Sequence, residues 1–267
     1  MPWLAGHDTM PKRRCFSLQL YLWPRSVAKA SGVDAEIVET AAVTCSPAAD
    51  LAAALHRQRA LPLFTCGDPA DGVRVLEAVH AAGFPIVEFT NRAPGNVDVF
   101  RALVAEAARR LPGLVLGAGT ILDVAQAEAF HDAGAAFIVA PHLDEEVGRW
   151  CAARHVPWCP GTGTVTEMMR AQRLGAAVIK VFPADALGGP AFLKAVRGPL
   201  PWLPLMPSGG VSLDPENLRD WFAAGAHCVG VGSQLVDTAS LADRRFDVIA
   251  ARARQLAAAL ALVEKGQ

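Results

Sequence analysis

A lysine lies inside an otherwise apolar segment at residues 177–182, which reads AVIKVF. Because side chains alternate between the two faces of a β-strand, Lys180 shares its face with Val178 and Phe182. Burial disfavours the charged ammonium form of a lysine. A neutral amine attacks carbonyl carbons, and this attack begins Schiff-base catalysis. The segment therefore indicates a nucleophilic lysine inside the fold.

A glutamate repeats this pattern at residues 85–90, which read PIVEFT. Strand alternation places Glu88 on one face with Ile86 and Thr90. A carboxylate close to the Lys180 amine could move protons during a carbonyl reaction. The alternative is a buried Glu–Lys ion pair without chemistry, although desolvation commonly costs such pairs as much as their attraction returns.

Regularly spaced apolar segments are the elements that must position these two residues. Eight of them begin near residues 61, 85, 114, 136, 156, 177, 203 and 227, between 20 and 29 residues apart. This interval fits a strand, a loop and a helix, repeated, and predicts a (β/α)8 TIM barrel. An open doubly wound sheet is the alternative, but its edge strands are usually less apolar than these eight segments. In a barrel, active sites form at the carboxyl ends of the strands, so we favour the catalytic interpretation of Glu88 and Lys180.

The chain before the first strand divides into two parts. Residues 48–59 are predicted to form an extra helix, and residues 47–267 a single barrel domain. Residues 1–46 are expected to be a poorly ordered extension or to follow from a start codon placed too early. Their basic and apolar stretches superficially resemble a signal peptide, but Pro24 and Arg25 interrupt the apolar run.

The composition excludes several classes of protein. The 267 residues carry a formal net charge of −1, with 52% hydrophobic and 19% charged residues. This balance argues against disorder and against a basic nucleic-acid surface. No apolar run reaches the roughly 18 to 20 residues that a membrane-spanning helix needs. The six cysteines form no CxxC pair and the histidines no common zinc spacing, so we expect reduced thiols, no metal and a cytoplasmic location.

Glycine-bearing segments follow the third, seventh and eighth predicted strands. They are residues 117–120 (GAGT), 207–210 (PSGG) and 230–233 (GVGS). Each is a weak signal alone, because glycine after a strand usually permits a turn. The last two have the placement of the phosphate site that many barrels build after strands 7 and 8.

Several segments together resemble those of the 2-keto-3-deoxy-6-phosphogluconate (KDPG) and 4-hydroxy-2-oxoglutarate (KHG) aldolases. The resemblance runs from about residue 48 to the carboxyl terminus and rests on VEFTNR (87–92), GAGT (117–120), PGT (160–162), IKVFPA (179–184) and PSGGV (207–211). It implies a class I aldolase of the Entner–Doudoroff pathway that forms a homotrimer and uses neither metal nor organic cofactor. Such an enzyme cleaves a 2-keto-3-deoxy-6-phospho sugar acid to pyruvate and glyceraldehyde 3-phosphate.

The resemblance also implies roles for particular residues. Lys180 matches the Schiff-base lysine and Glu88 the general acid/base, while Arg92 and Thr120 match groups that bind the pyruvate moiety. The residues that match the phosphate-binding segments are Ser208, Gly209, Gly210, Gly232 and Ser233.

Two segments depart from the pattern of the family: residues 88–93 read EFTNRA where EVTLRT is usual, and residues 140–142 read APH where SPG is usual. Asn91 and Ala93 alter the loop after the second strand, and His142 adds an imidazole after the fourth. They leave Lys180 and Glu88 untouched but could reshape the aldehyde side of the site. KHG or another 2-keto-3-deoxy acid therefore remains an alternative substrate. A phosphosugar-binding barrel without lyase activity and a catalytically inactive binding module are the remaining alternatives.

Overall fold

A computed structural model describes residues 46–265, in which parallel β-strands alternate with α-helices. Except for Ser46, the predicted amino-terminal extension lies outside the described residues. The described strands are β1 (Ala60–Phe64), β2 (Ile86–Thr90), β3 (Val115–Gly119), β4 (Ile138–Val139), β5 (Trp158–Cys159), β6 (Gly161–Thr162), β7 (Ile179–Val181), β8 (Leu205–Pro207) and β9 (Val229–Val231).

Helices precede, connect and follow these strands. They are α1 (Pro47–Gln58), α2 (Pro69–Ala81), α3 (Asn96–Arg110), α4 (Val124–Asp132), α5 (Glu145–Arg154), α6 (Val165–Arg173), α7 (Gly189–Arg197), α8 (Pro215–Ala223), α9 (Thr238–Ala242) and α10 (Phe246–Lys265). None of the helices between residues 46 and 265 combines the length and apolarity needed to cross a bilayer.

The local sequence explains where the helices begin. Asp214 caps α8 by accepting a hydrogen bond from the Glu216 N–H, and Pro215 follows it in the first turn, where its missing N–H costs nothing. Thr164 and Glu167 form a capping box at the start of α6. Apolar residues then recur at helical spacing and face the strands, as Val99, Phe100, Leu103 and Ala107 do in α3.

The strands form two parallel sheets with the orders β5-β4-β3-β2-β1-β9 and β6-β7-β8. The fifth predicted strand is interrupted at Pro160, so that β5 pairs with β4 and β6 pairs with β7. Proline has no N–H to donate to a ladder, which accounts for this break. Its carbonyl still accepts a hydrogen bond from the Lys180 N–H at 2.9 Å. An isolated parallel bridge between Ser208 and Gly230 links the end of β8 to β9.

Two apolar clusters lie on opposite faces of the strands. The larger one packs the strands against the helices and contains Phe89, Phe100 and Trp221. The smaller one gathers residues that the strands direct toward one another, including Leu61, Ile86, Phe137, Val139, Cys159, Val178, Met206 and Cys228. Leu51, Ala54 and Leu55 of α1 belong to this smaller cluster. The strands therefore curl around a common interior that α1 covers at one end.

Gln58 at the end of α1 joins that helix to the strands. Its side-chain oxygen accepts from the Ile86 N–H at 2.8 Å, and its side-chain nitrogen donates to the carbonyls of Ala60 and Ile86 at 2.7 Å. The amino ends of β1 and β2 thus share one side chain with the covering helix.

We predict that Gln58→Leu lowers the free energy of unfolding by about 1–3 kcal/mol, because it leaves partly buried backbone groups without partners. Denaturant unfolding followed by circular dichroism measures the change. Arg57→Leu, an exposed position on the same helix, serves as the control and should change stability by less than about 0.5 kcal/mol. Equal changes in the free energy of unfolding for the two substitutions would contradict the role of Gln58 in joining α1 to the strands.

Candidate active site

Glu88 and Lys180 meet in the interior between the strands. Glu88 lies on β2 in register with Leu63 of β1 and Gly117 of β3, and Lys180 lies on β7 in register with Met206 of β8. Lys180 Nζ is 3.8 Å from Glu88 Oε1, and the two side chains are 9% and 0% exposed, respectively. Two charges that are 92 positions apart in the sequence therefore form a buried pair.

Hydrogen bonds from the described residues do not compensate the burial of the Glu88 carboxylate. Within residues 46–265, neither of its oxygens has a hydrogen-bond partner, and the Lys180 ammonium lies beyond hydrogen-bond distance. Burying a carboxylate without donors is costly, and such groups in native proteins commonly belong to functional sites. A carboxylate with free lone pairs is able to accept a proton from a bound molecule.

Gly119, the last residue of β3, makes the position of this carboxylate possible. A Cβ atom on Gly119 would lie 1.8 Å from Glu88 Oε1, so any other residue would displace the carboxylate. In the sequence, this glycine is marked only by the GAGT segment, which indicates a turn and contributes to the family resemblance. Its role is instead to leave space for the buried acid.

Backbone and ring contacts hold the Lys180 segment in place. The Thr162 hydroxyl donates to the Lys180 carbonyl at 3.1 Å. Lys180 Nζ lies 5.5 Å from the centre of the Phe182 ring, within the range of a cation–π interaction. Phe182 is 39% exposed and lines a cavity. The Lys180 amine therefore lies beside an aromatic ring that borders the cavity.

That cavity, which we call the strand-end cavity, has a volume of about 450 Å³. Six of the predicted binding residues lie in its wall, namely Arg92, Ser208, Gly209, Gly210, Gly232 and Ser233. Thr90 and Phe182 also line it and were not among the predicted site residues. Both could have been found from the sequence, because they share strand faces with Glu88 and Lys180.

Other predicted residues lie outside this wall. Lys180, Glu88 and Thr120 do not line the strand-end cavity. Thr120 directly follows Gly119 in a left-handed conformation with φ of 58°. Asn91 and His142, two of the departures from the family pattern, are also absent from the wall of the cavity. Asn91 instead donates through its side chain to Gln126 at 3.4 Å and through its N–H to the Gly119 carbonyl at 2.8 Å.

Consecutive glycines after β8 shape one side of the strand-end cavity. Gly209 and Gly210 have φ values of 99° and 73°, a conformation that strains other residues. A Cβ on Gly210 would also lie 2.6 Å from the Asp185 Cβ. Among the hydrogen bonds of residues 46–265, none uses the N–H groups of Gly209, Gly210 or Ser233. Free backbone N–H groups of this kind suit an anion.

The buried cysteines take no part in this chemistry as thiolates. Cys66, Cys151, Cys159 and Cys228 are free and buried, and burial raises the pKa of Cys159 to about 12. They pack as small apolar side chains. Within the described part of the chain, no three His, Cys, Asp or Glu residues are grouped so that they could hold a metal ion.

Comparison with known proteins assigns this chain to a family. The family model described as "Aldolase: KDPG and KHG aldolase" matches residues 51–252. The chain belongs to the KDPG and KHG aldolase family. It is therefore an aldolase, a carbon–carbon lyase.

Curated relatives carry the same names. The chain is 39% identical over 173 residues to the 2-dehydro-3-deoxy-phosphogluconate aldolase of Pseudomonas aeruginosa, which covers 64% of this chain and 76% of the relative. It is 35% identical over 184 residues to the KHG/KDPG aldolase of Escherichia coli K12, with 68% and 83% covered.

A solved relative bears on the chemistry. The KDPG aldolase of Legionella pneumophila, whose structure holds pyruvate as a covalent carbinolamine intermediate, superposes with a TM-score of 0.70 and 27% identity. The superposition covers 79% of this chain and 98% of that one.

We predict that Gly119→Ala lowers kcat of this aldolase by about 100-fold, because the new methyl group displaces the Glu88 carboxylate by an ångström or more. Steady-state kinetics measure the loss, with circular dichroism to establish that the variant is folded. Gly67→Ala provides the matched control, since a Cβ at Gly67 meets nothing within 4 Å. A folded Gly119→Ala variant with unchanged kcat would refute the importance of this carboxylate position.

Proposed function

We propose that this class I aldolase cleaves a 2-keto-3-deoxy-6-phospho sugar acid to pyruvate and glyceraldehyde 3-phosphate through a Schiff base on Lys180. The observation that carries the proposal is the buried Glu88 carboxylate, which has no hydrogen-bond donor among the described residues and lies 3.8 Å from the Lys180 amine. The covalent pyruvate intermediate of the Legionella relative supports the same chemistry.

The reaction begins when Lys180 Nζ, after passing a proton to the Glu88 carboxylate, attacks the C2 ketone of the substrate. The C–N bond forms while the carbonyl π electrons move to oxygen, which gives a carbinolamine after proton transfer. Loss of that oxygen as water leaves a protonated imine. Because Glu88 Oε1 lies close to Nζ, it is placed to take and return the protons of these steps.

Cleavage of the C3–C4 bond follows from the electron-withdrawing imine. The electrons of this bond move toward the iminium nitrogen and form an enamine, while the C4 hydroxyl becomes the carbonyl of the departing aldehyde. Glu88 accepts the hydroxyl proton and later returns a proton to C3 of the enamine. Hydrolysis of the resulting imine releases pyruvate and regenerates the Lys180 amine.

The remaining predicted residues would bind the two ends of the substrate. Arg92 and Thr120 would hold the pyruvate moiety, with the Arg92 guanidinium forming charge-assisted hydrogen bonds to its carboxylate. Ser208, Gly209, Gly210, Gly232 and Ser233 would hold the phosphate. The free N–H groups of Gly209, Gly210 and Ser233 support this assignment.

KHG is the alternative substrate, as the name of the Escherichia coli relative suggests. It carries no phosphate, so it would leave the two left-handed glycines and their free N–H groups without a ligand. This observation favours the phosphorylated sugar acid.

We propose further that the strands form one closed (β/α)8 barrel. In this arrangement β5 and β6 are a single strand interrupted at Pro160, the Ser208–Gly230 bridge joins β8 to β9, and α1 covers the amino ends of the strands. Residues 47–267 would be one domain, which by the family resemblance assembles as a homotrimer in the cytoplasm and serves the Entner–Doudoroff pathway.

Borohydride reduction in the presence of pyruvate tests the Schiff base. We predict a pyruvate-derived adduct on Lys180 in the wild-type protein and none in Lys180→Ala, with peptide mass spectrometry locating the adduct. Lys194→Ala, which removes an exposed lysine, should leave the adduct unchanged. A folded wild-type protein without an adduct at Lys180 would overturn the proposed mechanism.

A further inference from the structure

A second cavity, which we call the outer cavity, lies behind the loop that follows β9. Its volume is about 730 Å³, and Ser233, Gln234 and Asp237 line both this cavity and the strand-end cavity. The loop of residues 232–237 therefore separates two open spaces. Ser233 and Gln234 in this loop are exposed.

Leu235 and Asp237 fix this loop, together with hydrogen bonds from the Leu235 and Val236 N–H groups to the Gly232 carbonyl at 2.8 and 3.0 Å. Leu235 is fully buried and anchors its middle. At its end, Asp237 caps the short helix α9 by accepting from the Ser240 N–H at 2.6 Å and from the Ser240 hydroxyl at 3.0 Å. Asp237 also forms an ion pair with Arg252.

Arg252 has a rigid base on α10. Its neighbours Ile249, Ala253 and Leu256 are fully buried, so the helix backbone at this point is fixed by the core. Its guanidinium reaches both Asp237 and the Ser240 hydroxyl, the latter at 3.3 Å. The Ser240 N–H and Arg252 lower the pKa of Asp237 to about 2, and the carboxylate is charged at neutral pH.

We propose that Asp237 and Arg252 are positioning residues for the substrate phosphate: their ion pair holds the 232–237 loop, and thereby Gly232 and Ser233, against the phosphate-binding glycines 209 and 210. The inference rests on the proposed function, because it takes a phosphorylated substrate as the ligand. Neither residue belongs to the predicted site, and neither is needed for bond cleavage.

Whether phosphate binding weakens or strengthens when Asp237 is replaced distinguishes a positioning role from a purely electrostatic one. Asp237 is a negative charge in the wall of the cavity that would hold a phosphate. If it acted only through its charge, removing that charge would strengthen the binding of an anion. If it holds the loop, Asp237→Asn weakens binding, although the asparagine oxygen can still cap α9.

Binding of glycerol 3-phosphate, a phosphate monoester that undergoes no aldol cleavage, tests the proposal by isothermal titration calorimetry. We expect roughly tenfold weaker binding to both Arg252→Gln and Asp237→Asn, since each loses a charge-assisted hydrogen bond. Arg252→Lys should recover part of the affinity. Arg254→Gln, an exposed position two residues along the same helix, should bind as the wild type does.

Kinetics supply the second readout. In Arg252→Gln the KM for the phosphorylated sugar acid should rise about tenfold with little change in kcat, while kinetics with unphosphorylated KHG stay unchanged. Equal losses with both substrates would indicate general destabilisation and overturn the proposal.

The remaining outcomes of these experiments also test the positioning proposal. Unchanged binding in Arg252→Gln, or tighter binding in Asp237→Asn, would overturn positioning while leaving the aldolase proposal intact. Failure of the wild-type protein to bind glycerol 3-phosphate would overturn the phosphate site together with this inference. Failure of the proposed chemistry is recognised separately, by the absence of a pyruvate adduct on Lys180.

Discussion

The burial of a carboxylate beside an amine is the constraint on which the rest of the site depends. Glu88 is fully buried, no hydrogen-bond donor reaches it from residues 46–265, and the Lys180 amine lies 3.8 Å away. An arrangement chosen for stability alone would supply donors to that carboxylate or replace both charges with apolar side chains. In the proposed mechanism the unsatisfied oxygens exchange protons with the substrate, and the cost in stability is one that active sites commonly carry.

The fold meets this constraint with a small number of residues. Gly119 leaves the space that the carboxylate occupies, and the apolar cluster of Phe137, Val178 and Met206 fills the interior around the strands. The glycines after β8 and the loop after β9 line the same cavity as Arg92, and we propose that they hold the substrate phosphate. In the proposed mechanism the phosphate-binding groups follow β8 and β9, whereas Glu88 and Lys180 lie on β2 and β7.

Much of the site follows from the sequence because its signals are local. A charge in an apolar strand is conspicuous, so Lys180 and Glu88 could be found from strand alternation. The glycines after strands 7 and 8 could be placed at the strand ends, where they line the strand-end cavity. Features that depend on contacts between distant residues could not be found in this way. The space that Gly119 leaves for Glu88 and the pairing of Asp237 with Arg252 across fifteen positions have no local pattern. Pro160 could be recognised in the sequence as a proline within the fifth predicted strand. Which strands the two halves on either side of it pair with depends on the neighbouring strands.

The central claim is that Glu88 moves the protons of a Schiff base that Lys180 forms. The most direct measurement is the exchange of the methyl protons of pyruvate for deuterium in heavy water, followed by NMR. In Glu88→Gln, we predict that borohydride still traps pyruvate on Lys180 while the exchange rate falls by about 100-fold or more, the usual contribution of a general acid/base. Exchange at the wild-type rate in Glu88→Gln would contradict the account.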